Sequence, residues 1–190
     1  MDVAAFDPGA SGAASLLRHD LNRHGVLAYT FLDMVDIPTL PDGETRKQID
    51  VPFVGQLLER WNPDVVVIEN VQVAVYGGGD DRASASASAA AGQGFRRSSM
   101  SPSDAFRYGI NCGMLRGCIM AYGFEPVMVH PRTWTSALKL KGGAAEKKAH
   151  AALIKQLVPS AAEWITLAKH DGRADSACMA YWYAQQRGML

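Results

Sequence analysis

Hydrophobic positions along the 190 residues fall into short runs divided by glycine, proline and polar clusters. Residues 2–7 (DVAAFD) form a brief apolar run ending on an acid, which predicts a buried strand that delivers Asp7 at its end. The turn Pro8-Gly9-Ala10-Ser11-Gly12 follows, then strand-like runs at 13–18 and 25–33 joined by a polar turn around Asn22. Three consecutive strands predict an antiparallel meander. Residues 38–50 are polar, and 51–61 (VPFVGQLLERW) return to helical spacing with Asp50 as N-cap and Pro52 in the first turn. Residues 65–68 (VVVI) run without polar alternation into Glu69, the mark of a central strand covered on both faces.

Residues 72–102 break the pattern with Gly77-Gly78-Gly79, an Ala/Ser tract at 83–91 and Gly92-Gln93-Gly94. A loop of about thirty residues inside a domain is uncommon and usually functional. Residues 103–122 read as a long helix capped by Ser103, in which Gly109, Gly113 and Gly117 make one smooth stripe. Each glycine costs a helix about 1 kcal/mol relative to alanine. The stripe therefore predicts close approach of another backbone, the sheet in preference to a partner subunit. A fifth strand is expected at 125–129, a helix from about 144 to 157 after the Gly142-Gly143 turn, and a last helix from about 172 to 183. The order βββ-α-β-α-β-α-α is that of a single α/β domain, a five-stranded mixed sheet flanked by helices, spanning residues 1–190.

Composition narrows the class. Forty-eight percent hydrophobic letters and 20% charged ones are ordinary for a globular chain. No apolar run approaches the ~20 residues of a membrane span, so no membrane partner is expected. Cys112, Cys118 and Cys178 are odd in number and form no C-x-x-C pair, which argues against a disulfide framework or a zinc site. A reducing, cytoplasmic setting is expected, or the host-cell cytoplasm if the chain is phage-encoded, with an organelle open only if a transit peptide is missing from this sequence. The zero net charge hides a split. Residues 1–81 hold five Lys/Arg against thirteen Asp/Glu, net −8, and residues 82–173 hold thirteen against five, net +8. Such asymmetry is one pointer to a polyanionic partner.

Four acids stand where the pattern makes them useful. Asp7 and Glu69 end two strands, and Asp171 and Asp175 open the last helix. Parallel neighbours bring their C-terminal ends to one edge of an α/β sheet, so Asp7 and Glu69 converge if their strands are adjacent. Residues four apart share a helix face, which groups Asp171 with Asp175 and leaves His170 apart. Crowded carboxylates repel unless a cation neutralises them, and oxygen-only donors suit Mg²⁺ or Mn²⁺.

Three segments carry a resemblance: Ala5-Phe6-Asp7-Pro8-Gly9, Pro63 to Val71 around Glu69, and Lys169 to Ser176 around Asp171 and Asp175. They resemble the RuvC family of Holliday-junction resolvases, most closely its phage and plant-organelle branches. The likeness extends to Gly92-Gln93-Gly94, Pro131-Arg132-Thr133-Trp134 and Ala145-Glu146-Lys147, and so covers nearly the whole chain in order. It implies a ribonuclease H-like fold, a homodimer, and metal-dependent nicking of opposed strands in branched DNA, the four-way junction. Asp7, Glu69, Asp171 and Asp175 would hold two Mg²⁺ (or Mn²⁺) ions, and the products would carry 5′-phosphate and 3′-hydroxyl ends. The chain departs from the bacterial branch at Gly172, where that branch has an acid, and at Gln72, where it has a wedging aromatic, a part that would fall here to Phe95 or to neither.

DNA contacts are expected from Gln72 and from the basic half: Arg96 and Arg97 in the long loop, Lys139 and Lys141, Lys147 and Lys148, and Arg173 between the acids. Lys147 matches a basic residue near the active site in the family. Two other readings keep the fold, namely a ribonuclease H-like nuclease acting on a hybrid or a flap, and a junction-binding protein with no catalysis. An ATPase of the sugar-kinase and actin type, which also has D-x-G after a strand, needs two such lobes. No nucleotide cofactor is expected.

Overall fold

The computed structural model describes residues 1–8, 12–21, 24–41, 47–70, 101–141 and 147–188. The first strand, β1 (Asp2–Asp7), is apolar on both sides because it lies in mid-sheet. It pairs antiparallel with β2 (Ala13–Leu21), which pairs antiparallel with β3 (Leu27–Asp36), giving the expected meander with a register shift at Leu16/Leu17. Residues 39–41 (β4, Thr39–Pro41) and 47–49 (β5, Lys47–Ile49) make a small antiparallel hairpin that the polar sequence does not advertise. Asp50 caps α1 (Val51–Trp61) by accepting from the Phe53 N–H, with Pro52 in the first turn. That helix carries the chain over to β6 (Val65–Glu69), parallel to β1.

Beyond the undescribed residues 71–100 comes α2 (Pro102–Ala121). Its cap is Ser101, not Ser103: the Ser101 hydroxyl accepts from the Asp104 N–H, and Pro102 supplies the fixed φ favoured at a first helical position. The chain continues through β7 (Val127–Val129), parallel to β6, and the helices α3 (Pro131–Ala137), α4 (Lys147–Leu157), α5 (Ala161–Trp164) and α6 (Asp171–Gly188). The five-stranded sheet has the order β3-β2-β1-β6-β7, mixed as expected, with helices on both faces. The short helices α3 and α5 go beyond what the sequence pattern predicts.

Two cores lie on the two faces, and side-chain alternation decides which residue enters which. Val3, Ala5 and Val67 face α3, α4 and α6, while Ala4, Phe6, Val66 and Ile68 face α1 and α2. Helix α6 is buried from Ser176 to Tyr181 without a break, and Ala174, Ala177, Ala180 and Ala184 keep its contact surface small enough to lie close on the sheet. A helix apolar on nearly every side is an interior one.

The glycine stripe of α2 does not meet the sheet. Among the described residues, Gly109, Gly113 and Gly117 are exposed, and a Cβ built on each meets nothing within 4 Å. The opposite side of α2, through Leu115, Cys118 and Ile119, does the burying. The close approach between helices falls instead at Gly55 of α1, where an added Cβ would collide with the Tyr122 ring.

Candidate active site

The direction of each strand-end carboxylate follows from the residues before it. Val3 and Ala5 point into the α6 core, so Asp7 projects to that side; Val65 and Val67 do the same for Glu69. Phe6 stands opposite Ile68 in the parallel ladder, which sets Asp7 beside Glu69 at about one strand spacing, ~4.8 Å. Both are half-buried at the edge formed by the C-terminal ends of β1, β6 and β7, where the Asn70 N–H donates to the Val129 carbonyl at 2.7 Å.

The charge of this pair is felt on α2. The Tyr108 phenol is driven well above its ordinary range by burial first, then by Cys112 beside it and by Asp7 and Glu69. Burial also raises the Cys112 thiol; its hydrogen bond with Tyr108 opposes the rise, and the same two carboxylates add to it. Tyr108 and Cys112, one helical turn apart, therefore face the acidic edge. Nothing in their spacing says which end of the sheet α2 would cross.

From the other side α6 supplies its two acids. Asp175 is half-buried, with Oδ1 at 2.5 Å from Nδ1 of the buried His150 of α4. The same His150 ring stands edge-on to Trp134 of α3, centroids 5.5 Å apart. Trp134 in turn donates its indole N–H to Glu69 Oε1 at 3.0 Å. Glu69 and Asp175 are thus linked through two buried rings. Asp171, one turn ahead of Asp175, lines a cleft of about 570 Å³ together with Lys148, Lys155 and His170. The His170 Nδ1 accepts from the Thr166 and Leu167 N–H groups at 3.3 and 3.4 Å, so the imidazole is tied into the turn that launches α6.

Among the described residues, no group of three or more His, Cys, Asp or Glu side chains stands at metal-holding distance. The fold brings Asp7 and Glu69 side by side and lays Asp175 against the same network, with Asp171 at the cleft. An all-carboxylate donor set with two members already adjacent fits a hard divalent cation such as Mg²⁺ or Mn²⁺.

The expected DNA contacts divide three ways. Lys139, Lys141 and Lys148 are exposed. Lys139 takes φ 56° just past α3, the left-handed position usually given to glycine, with the Leu140 N–H returning to the Thr135 carbonyl at 2.8 Å. Arg173 is engaged inside the fold: its Nε and Nη2 donate to the two oxygens of Asp36 at 2.6 and 3.0 Å, and Nη1 donates to the Trp164 carbonyl at 3.0 Å. Gln72, Phe95, Arg96 and Arg97 lie outside the described residues, as does the Lys147 side chain. Trp134, which the sequence marked only within the Pro131–Trp134 segment, and His150 contact Glu69 and Asp175, while Lys155 lines the cleft with Asp171; His150, Tyr108 and Lys155 were not singled out by the sequence.

No protein-family model matches the chain, and neither does any curated protein. Solved structures do match the fold. The Thermus thermophilus RuvC structure covers 98% of this chain with 96% of its own, at 17% identity and a TM-score of 0.61. The same protein in complex with a Holliday junction substrate covers 100% of this chain with 96% of its own, at 16% identity and a TM-score of 0.60. The yeast mitochondrial Holliday junction resolvase Ydc2 covers 98% of this chain with 78% of its own, at 16% identity and a TM-score of 0.54. At such identities the shared property is the fold, over nearly the whole length.

Proposed function

We propose that this chain is a divalent-metal-dependent endonuclease that resolves four-way DNA junctions by paired, symmetric nicks. The observation that carries the reading is the in-register pair Asp7 and Glu69 on the face covered by α6, whose first turns bring Asp171 and Asp175. It sits on a fold shared over 98–100% of this chain with proteins that process such junctions.

Asp7, Glu69, Asp171 and Asp175 are the proposed holders of two Mg²⁺ or Mn²⁺ ions. When bound, such ions activate a water for in-line attack on the phosphodiester and stabilise the leaving 3′ oxygen, yielding 5′-phosphate and 3′-hydroxyl ends. The chain's own contribution is placement. The parallel ladder sets the backbones under two carboxylates side by side, and α6, buried without a break from Ser176 to Tyr181, carries the other two at its start. Lys148 and Lys155 line the cleft beside Asp171, and with Lys139 and Lys141 they supply positive charge for the DNA backbone. Gln72, Arg96, Arg97 and Lys147 belong to the same proposed interface. Arg173, held by Asp36, acts within the fold.

The proposed assembly is a homodimer, which two opposed nicks require. Its support is the outer face of α2, where, among the described residues, Phe106 (70% exposed), Ile110 and Met120 stand exposed along the glycine stripe. Three free cysteines accord with a reducing compartment such as the cytoplasm.

The test is cleavage of an immobile four-way junction labelled on each strand, with Mg²⁺ or Mn²⁺, beside linear duplex, flap and RNA–DNA hybrid. Symmetric nicks confined to the junction are expected. Asp7→Asn should lower the rate more than about a hundredfold, since such an ion supplies several kcal/mol of transition-state stabilisation, and should keep junction binding. Cutting of the hybrid or flap instead would keep the site and replace the substrate. Binding without any cutting would make the protein a junction binder.

A further inference from the structure

We infer that Trp134 and His150 form a buried positioning pair that aligns Glu69 and Asp175 for the metal ions. The inference rests on the metal-centre reading of those carboxylates and deepens it.

The two rings are among the most buried polar-tipped side chains of the fold, at 2% and 4% exposure. Each spends a nitrogen on one carboxylate oxygen: the Trp134 Nε1 on Glu69 Oε1 at 3.0 Å, the His150 Nδ1 on Asp175 Oδ1 at 2.5 Å. The far nitrogen of His150, Nε2, is set against the Lys141 carbonyl at 3.2 Å, which fixes the ring plane. The backbone is fixed as well, since the Cys178 thiol of α6 reaches the His150 carbonyl at 3.7 Å. Edge-on contact between the rings, at an interplanar angle of 76°, makes them one unit. Helices α3, α4 and α6 thereby meet at the two carboxylates that β6 and α6 deliver. Neither ring serves this core as a mere filler, because an aliphatic side chain would fill it without placing a donor on each acid. Groups that hold ligand carboxylates in orientation typically govern metal affinity by 10–100-fold.

The experiment measures Mn²⁺ binding by the full-length protein without DNA, from the electron paramagnetic resonance of free Mn²⁺. Trp134→Phe and His150→Leu should each weaken binding about 10–100-fold. His150→Asn, which keeps a donor where Nδ1 stood, should recover most of the loss. Ile154→Val, an apolar exchange in the same core that removes no donor, serves as the packing control and should bind like the parent. A second readout needs no variant of His150: of the four indole N–H resonances, the one absent from Trp134→Phe should shift most when Mg²⁺ is added. Parent-like Mn²⁺ affinity in Trp134→Phe and His150→Leu, or an unmoved Trp134 indole while Mg²⁺ binds, overturns the positioning role alone. Equal weakening in Ile154→Val overturns it too, by making the effect one of stability. A parent protein that takes up no Mn²⁺ overturns the metal-centre reading and this inference with it.

Discussion

Arg173 lies on the first turn of α6 between two acids, yet its guanidinium turns away to Asp36 at the end of β3. The Asp36 carboxyl is held below its ordinary range chiefly by those hydrogen bonds, against the opposing effect of burial, with help from the charges of Arg173, His170 and Lys169. A carboxyl that binds protons less readily when folded stabilises fully above its unfolded pKa of about 3.9 and loses that contribution as pH falls through the folded value. Asp36 is more than half exposed, so solvent screening limits the pair to roughly 0.5–1 kcal/mol. Asp36→Asn should therefore lower the unfolding free energy by about that amount at pH 7, with the gap closing below about pH 4. Urea denaturation at pH 7 and pH 3 reads this directly. An undiminished gap at pH 3 would assign the loss to packing. The sequence could mark Arg173 as a cation between acids, but which acid it serves depends on a strand end 137 positions away.

At the scale of elements, α2 is the instructive one. Its length was readable to within a residue or two, but its cap fell at Ser101 and not Ser103, and the side its glycines face was not readable, because small residues signal closeness without naming the neighbour. The described residues leave all three glycines in open space. Replacing Gly109, Gly113 and Gly117 with alanine should raise the thermal midpoint of the isolated subunit, since each exchange recovers about 1 kcal/mol of helix propensity. If that face meets a second copy, the same three methyls should weaken self-association more than tenfold in analytical ultracentrifugation. A stabilised protein that associates as before would move the subunit contact elsewhere. The elements missed outright, α3, α5 and the β4–β5 hairpin, run three to seven residues, too short for a hydrophobic period to declare itself. Tertiary ties hold them: the Ile49 N–H of β5 donates to Asn111 of α2, and Trp134 of α3 is buried under the sheet edge.

Over the whole molecule, the split between an acidic first half and a basic second half bears on how DNA is held. Released counterions make binding to a polyanion fall with salt, at close to one power of salt per phosphate neutralised. Replacing Lys139, Lys141 and Lys148 by glutamine should weaken junction binding and reduce that slope by about one per lysine that meets a phosphate. Fluorescence anisotropy across a salt series measures it, and an unchanged slope would place the phosphates elsewhere. The residue order alone was enough for the five strands of the main sheet, the meander, the crossover and the arrival of acids at two strand ends and one helix start, because these follow from local periodicity and from where apolar runs stop. Adjacency of Asp7 and Glu69 was legible only as a condition, that β1 and β6 be neighbours, and the ladder meets it. What tertiary structure alone decided is the brace around them. Glu69, Trp134, His150 and Asp175 come from four separate elements, and no local pattern records that their side chains meet, since each was placed by the burial of a different apolar face.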